Sequence, residues 1–355
     1  MPVKKKKFRL HILDIFLLLI PVSLTLYYLK IDSTFTFIAT AGAIAGITHL
    51  MAESTSIIAG RVSTTISALI NATFGNAVEF LIAIFALQSG LVEMVKASIT
   101  GSIIINVLLL IGLSMLAGGL KYKEQKFNKD SAGLSSTMLI IAVFGLAMPS
   151  LYSMIVGKPE KEMSFAVSII LGVIYLLSLV YTFGTHRHLF TVERQAPDEK
   201  TGRWPLRTAV IILLLSTAAA GLESNALVES IKPIVSKTGL TETFIGLVFV
   251  ALLTNIPEHV SAMTFARRNN MTLALEIGMS SALQIALFVV PILVLVSSTM
   301  AGGTLDLVFS PFELTAVLIT AMIANYIGSD GVCHWVEGAQ LIAVYMLIAV
   351  AFYFL

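Results

Sequence analysis

Cut at its charged and Pro-, Gly- or Asn-rich breaks, the chain falls into eleven apolar segments. They run approximately 11–29, 33–52, 62–88, 91–117, 134–155, 163–186, 206–231, 241–267, 272–298, 308–328 and 335–355. Crossing the hydrocarbon of a bilayer takes roughly 20 apolar residues in a helix, so each segment is long enough to span. The reading is an all-α membrane protein of eleven transmembrane helices. Composition agrees: 57% of the 355 residues are hydrophobic and 12% charged, against about 25% charged for a soluble domain. The single cysteine, Cys333, excludes an internal disulfide framework and a four-Cys metal site, which leaves oxygen ligands for any cation. A net charge of +2 gathered in short clusters between apolar runs gives no stripe for nucleic acid. The opening KKKKFR and its apolar run lack a small-residue cleavage site, and read as a retained anchor helix.

Those clusters test the count, because one helix too many would exchange the sides of every later loop. With the N-terminus cytoplasmic, seventeen of the 23 Lys and Arg fall inside and five outside, Lys96 lying within a span. The short loops and absence of a targeting extension point to a prokaryotic inner membrane.

The longest hydrophilic stretch, around 188–205, divides the chain near its middle. On either side stand FGNAVEFLIAIFALQSGLVEMVKASITGSIIIN and LTNIPEHVSAMTFARRNNMTLALEIGMSSALQ. Glu79 and Glu258 are 179 residues apart, as are Asn76 and Asn255, and Ser102 and Ser281. The chain is therefore an anchor helix (1–32) followed by a duplicated unit (33–187 and 206–355) joined by a cytoplasmic linker. Five helices is an odd number, so the second copy enters from the opposite face. Inverted repeats of this kind place a transporter's substrate site near the bilayer midplane, between the copies.

A charge at the bilayer centre costs several kcal/mol and is retained where it faces a cavity or partner. Asn76 and Glu79 are three apart, so a helix sets both on one face, as it does Asn255 and Glu258. Two carboxylates, two amide oxygens and backbone carbonyls freed by local breaks make a hard-cation site suited to calcium. Gly75 and Pro257 supply the means of breaking each helix. Ser102 with Asn106, and Ser280 and Ser281 with Gln284, add oxygen donors or an outer shell; packing glue between helices is the competing explanation for them. Glue does not require a carboxylate twice in mirrored positions. Two carboxylates offset one divalent ion, and burial raises carboxyl pKa values, so an empty site takes up protons. Calcium and about two protons would compete for it. The transported species are then Ca2+ and H+, the other partner is the lipid bilayer, and no cofactor or nucleic acid is implied.

The runs Gly75-Asn76-Ala77-Val78-Glu79 with Gly101, Ser102 and Asn106, and Asn255-Ile256-Pro257-Glu258-His259 with Ser280, Ser281, Gln284 and Ile285, resemble the two signatures of the cation/proton exchanger family. That family includes the calcium/proton antiporter branch of the calcium/cation antiporter superfamily. TETFIGLVFVAL at 241–252 and DGVCHWVEGAQLIAVY at 330–345 extend the likeness over nearly all of 33–355. The resemblance implies an extra N-terminal helix plus two inverted sets of five. It also implies that Glu79 and Glu258 bind calcium and protons in turn, and that helices two and seven slide to alternate access. The chain departs from the usual Gly-Asn-Ala-x-Glu at Thr254-Asn255-Ile256-Pro257-Glu258, and carries Phe80 where the second copy has His259.

Among the other ionisable groups, His259 is a candidate proton relay or pH sensor. Glu53, Glu223 and Glu229, read near the ends of helices two and seven, are candidate cation-collecting acids of a gate. Glu93 pairs with Lys96, Glu337 complements a helix dipole, and Glu276, Glu313 and His49 receive no function. Sodium/calcium exchange on the same fold would need further acids in helices four and nine, where Asn106 and Gln284 are neutral; a broader divalent-cation/proton antiporter stays open. An enzyme is excluded as a reading, because the one Glu-His neighbour pair, Glu258-His259, has neither the order nor the spacing of a hydrolytic metal motif.

Overall fold

The computed structural model describes residues 12–158, 161–182, 204–300 and 304–355. Most of the predicted linker and the basic cluster Lys4 to Arg9 lie outside them. Among the described residues eight helices are long and apolar enough to cross a membrane. We label α1 (Leu13–Tyr28, shorter and 3₁₀ in its first turns), α2 (Ser33–Ala59), α5 (Val92–Gly119), α6 (Lys129–Val156), α7 (Lys161–Val180), α8 (Leu206–Thr238), α11 (Met271–Ser297), α12 (Pro311–Gly328) and α13 (Trp335–Tyr353). Two further apolar stretches are broken: α3 (Thr64–Gly75) meets α4 (Ala77–Gln88), and α9 (Glu242–Thr254) meets α10 (Ile256–Ala266). Their bends are 47° and 57°.

Local chemistry sets the ends. Asp32, Ser63 and Asn128 accept hydrogen bonds from backbone N–H groups of α2, α3 and α6, and Ser310 with Glu313 forms a capping box on α12. Gly157 and Gly239 close α6 and α8 at φ near +79° and +75°, a conformation glycine adopts without strain. Two helices outrun the sequence reading: α2 continues to Ala59 and α8 to Thr238. Glu53 to Ser56 read as a break because they are polar, yet Ser54 and Thr55 are buried, so polarity there marks an inward face and not a helix end.

The long core helices α5 and α11 are each interrupted by a π-helical stretch, Ile105–Leu110 and Ile285–Val289, within a turn after Ser102 and Ser281; Asn106 lies inside the first stretch and Gln284 just before the second. The 179-residue spacing of the two motifs is thus accompanied by a similar interruption in each following helix. Helix α2 packs along α8, with α1 against both. Loop contacts tie helix ends together: Lys237 Nζ reaches Asp32 Oδ2 at 2.8 Å and Lys232 Nζ reaches the Ser89 carbonyl at 2.6 Å. Lys96 Nζ, paired with Glu93 at 3.4 Å as read from spacing, lies closer to Asp306, at 2.7 Å. At the other end a two-residue pairing of Gln125–Lys126 with Val332–Cys333 buries Cys333, and Gln125 Nε2 donates to the Ala266 carbonyl at 2.9 Å.

Candidate functional site

The two breaks are built alike. Asn76 and Asn255 end one half-helix and begin the next, with φ/ψ of −113°/18° and −99°/10°. Each amide turns back on the preceding turn: Asn76 Nδ2 donates to the Ala72 carbonyl at 3.4 Å and Asn255 Nδ2 to the Ala251 carbonyl at 2.8 Å. The asparagines, not the glycine or the proline, therefore occupy the break. Gly75 is still helical and a side chain there would meet nothing within 4 Å. Pro257 sits in the first turn of α10, where its missing N–H is no loss and its ring prevents the preceding helix from running on.

This geometry puts Glu79 and Glu258 in the first turns of α4 and α10, at the helix ends whose dipoles favour an anion. The structure brings the pair together. Their charges interact directly, and the Thr254 hydroxyl lies against the Glu79 carboxylate. One oxygen of Glu258, Oε2, is buried with no hydrogen-bond partner. Two carboxylates this close repel unless a cation or proton lies between them. Among the described residues no three His, Cys, Asp or Glu side chains form a metal cluster, so any further ligands here are neutral oxygens.

The amides differ from the symmetric expectation. Asn255 Oδ1 accepts from Asn106 Nδ2 at 2.8 Å and from Ser281 Oγ at 3.3 Å, while Asn106 Nδ2 also reaches Ser281 Oγ at 2.9 Å. Ser102 Oγ accepts from Asn255 Nδ2 at 3.4 Å. Asn255 is thus consumed by a buried network and offers no free oxygen to a cation. Asn76 Nδ2 donates to Gln284 Oε1 at 2.8 Å, and Asn76 lines an open cavity. His259 turns away from the carboxylates: its Nδ1 lies 2.7 Å from the Asn255 carbonyl, so Nδ1 carries the hydrogen.

That cavity has a volume of about 880 Å³ and runs from Asn76, Gln284 and Glu258 to exposed Gly60 and Arg268. It separates α3 (Ser67, Asn71, Gly75) from α11 (Leu273, Ile277, Ser280). The mirror-related pair, α9 and α5, is shut. Any side chain at Gly101 would collide with the Leu247 backbone, and one at Gly246 with the Met94 carbonyl. Thr55, Ser56, Asn71 and Arg268 line the cavity and were not singled out from sequence; an amide at position 71 of an apolar run was the available signal.

The three candidate gate acids do not line this cavity. Glu53 is half-buried and lies within α2, short of its end. Glu223 is buried in the middle of α8 and accepts from Ser23 Oγ at 2.7 Å. Glu229 accepts from the Tyr27 hydroxyl at 2.8 Å and from Asn225 Nδ2 at 3.1 Å. Their predicted helix-end placement fails because α2 and α8 run on to Ala59 and Thr238.

A multi-pass helical membrane protein, with two broken helices that set one carboxylate, Glu258, on the wall of an open cavity and a second, Glu79, against it, belongs to the class of ion transporters. The profile of the sodium/calcium exchanger protein family matches residues 32–184 and 208–354, and the chain belongs to that family. The Ca2+/H+ antiporter of Aphanothece halophytica is 40% identical over 95% of each chain. The Ca2+/H+ antiporter ChaA of Bacillus subtilis is 39% identical over 85% of this chain and 86% of that one. The solved structure of native YfkE superposes with a TM-score of 0.83 at 34% identity, covering 96% of this chain and 100% of that one. The resemblance drawn from the two motifs is borne out.

Proposed function

We propose that this chain is a secondary active antiporter that moves calcium one way and protons the other through a single site. The observation that carries this reading is the convergence of Glu79 and Glu258, with Glu258 on the cavity wall and its Oε2 unsatisfied. A divalent ion neutralises both carboxylates at once; in its absence protons do. Because the two states are mutually exclusive, calcium and protons exchange instead of travelling together. Thr254, Asn76 and Gln284 are the neutral oxygens placed to join Glu79 and Glu258 around the ion. Asn255, Asn106, Ser102 and Ser281 hold the second break in position.

The arrangement is eleven spans, α1 followed by two inverted five-span units at 33–187 and 206–355, with the broken pairs counted as one span each. Loop contacts that join only segments assigned to the same face support this count. With the N-terminus cytoplasmic, the cavity mouth at Gly60 and Arg268 faces the cytoplasm of a bacterial inner membrane, so the conformation is open inward. Movement of α2 and α8 across the core would close α3 on α11 and open α5 from α9.

The test is calcium flux in proteoliposomes at two imposed pH gradients, without sodium. Calcium accumulation should follow the gradient and vanish when an ionophore collapses it. Uptake that persists without a pH gradient, or that requires sodium, overturns the reading.

A further inference from the structure

Glu223 lies outside the carboxylate pair, fully buried among α8, α1 and α2. Its partner is Ser23, the buried residue of the Leu19–Tyr28 stretch of α1. Ser23 Oγ stands 2.7 Å from Glu223 Oε1 and 2.9 Å from the Ile20 carbonyl. A serine hydroxyl has one hydrogen but two lone pairs. If Glu223 were a carboxylate, both neighbours would be acceptors competing for that hydrogen, and the loser would stay unsatisfied inside the protein. The conflict disappears when the glutamate brings a hydrogen of its own. Its O–H then donates to Ser23 Oγ, and Ser23 donates to the Ile20 carbonyl.

The surroundings agree. Glu223 Oε2 has no hydrogen-bond partner, which is costly for an anion and much less so for the carbonyl oxygen of a neutral acid. Among the described residues no charged group interacts with Glu223. On α1, Tyr27 is engaged by Glu229 and Asn225, with Tyr28 beside it. On α2, His49 lies 4.0 Å from Asp14, and Glu53 is on the same helix. On α4 the ionisable group is Glu79, which faces Glu258 and Thr254. One hydroxyl and one carboxyl are too few oxygens for a metal cation.

We infer that Glu223 is a proton-binding site separate from the Glu79–Glu258 pair, holding one hydrogen as a neutral carboxylic acid that fastens α1 to α8. This inference does not rest on the proposed exchange chemistry. The hydrogen is structural: it remains while the central pair loads and unloads.

Infrared spectroscopy of the full-length protein in lipid, at neutral pH, tests it. Wild type and the Glu79→Gln/Glu258→Gln double variant should both show a protonated-carboxyl C=O band that Glu223→Gln lacks, the amide keeping a donor for Ser23 Oγ. Loss of an ionised-carboxylate band instead, with the protonated region unchanged, overturns the assignment. Ser23→Ala guards against a misfolded Glu223 variant: it removes the acceptor, so the same band should shift, and an unmoved band also overturns the assignment.

Discussion

Two helix seams, each beside one of the two Asn-x-x-Glu motifs, are in opposite states. Where α5 meets α9, glycines at 101 and 246 let backbone touch backbone and leave no passage. Where α11 should meet α3, a cavity of about 880 Å³ stands instead. Nothing in the local chemistry makes the second pair unable to close: Ser67, Asn71, Gly75 and Ser280 are small or polar. The difference teaches that two stretches with the same spacing of motif residues can stand in different packing states. Under the proposed alternating access, exchanging which seam is shut would give the other state.

The strongest way to break the comparison is to remove one carboxylate. Glu79→Gln and Glu258→Gln should each lower calcium exchange about a hundredfold or more, since an ionised partner contributes roughly 1.5–3 kcal/mol to each bond it makes. Flux in proteoliposomes checks this, and near-normal exchange by either variant would show that the repeats do not share an ion.

Next comes the closed seam. Gly246→Leu or Gly101→Leu should wedge it open; overpacking costs about 1–3 kcal/mol, enough to reduce exchange about tenfold. Gel filtration should report a folded protein. A water-soluble thiol reagent should label a cysteine placed at Ser67 less readily in these variants, as the cavity between α3 and α11 closes.

The breaks themselves differ more modestly. Asn255→Ala strands Asn106 and Ser281 in the interior and should destabilise by about 1–3 kcal/mol, read as a lower Tm. Asn76→Ala, at the cavity wall, should leave Tm nearly unchanged and weaken calcium binding a few-fold. Equal Tm losses would mean that the two amides are held alike.

The smallest effect concerns the exposed ends of α2 and α8. The hydrogen bond from Lys237 holds the Asp32 carboxyl down at about 2. A lowered carboxyl pKa stabilises the fold above its ordinary value of about 4, and that contribution is lost as pH falls through about 2. Thermal scans of Lys237→Ala should therefore show a slight deficit at neutral pH that closes at acid pH. A deficit that grew on acidification would give the pair the opposite sign.

Much of the site was legible because burying a charge in lipid is costly: Glu79, Glu258 and their asparagines stood out against apolar runs. Charge patterning between those runs also made the membrane character plain. The ends of α2 and α8 were missed because Glu53 to Ser56 line an inner face, and a polar lining has the same local signature as a loop. The unequal roles of Asn76 and Asn255 were hidden for a different reason. They depend on contacts with Gln284, Asn106 and Ser281, and on which seam is open, and neither is encoded in a 179-residue spacing.

The short strand pairing that covers Cys333 has a practical outcome. Burial, reinforced by the nearby Glu337 carboxylate, pushes this lone thiol up to about 12, so almost none of it is in the nucleophilic form at physiological pH. The unaltered protein is therefore a ready-made background for introducing single reporter cysteines, and probes attached along the cavity between α3 and α11 can test for its closure without first engineering the native sulfur away.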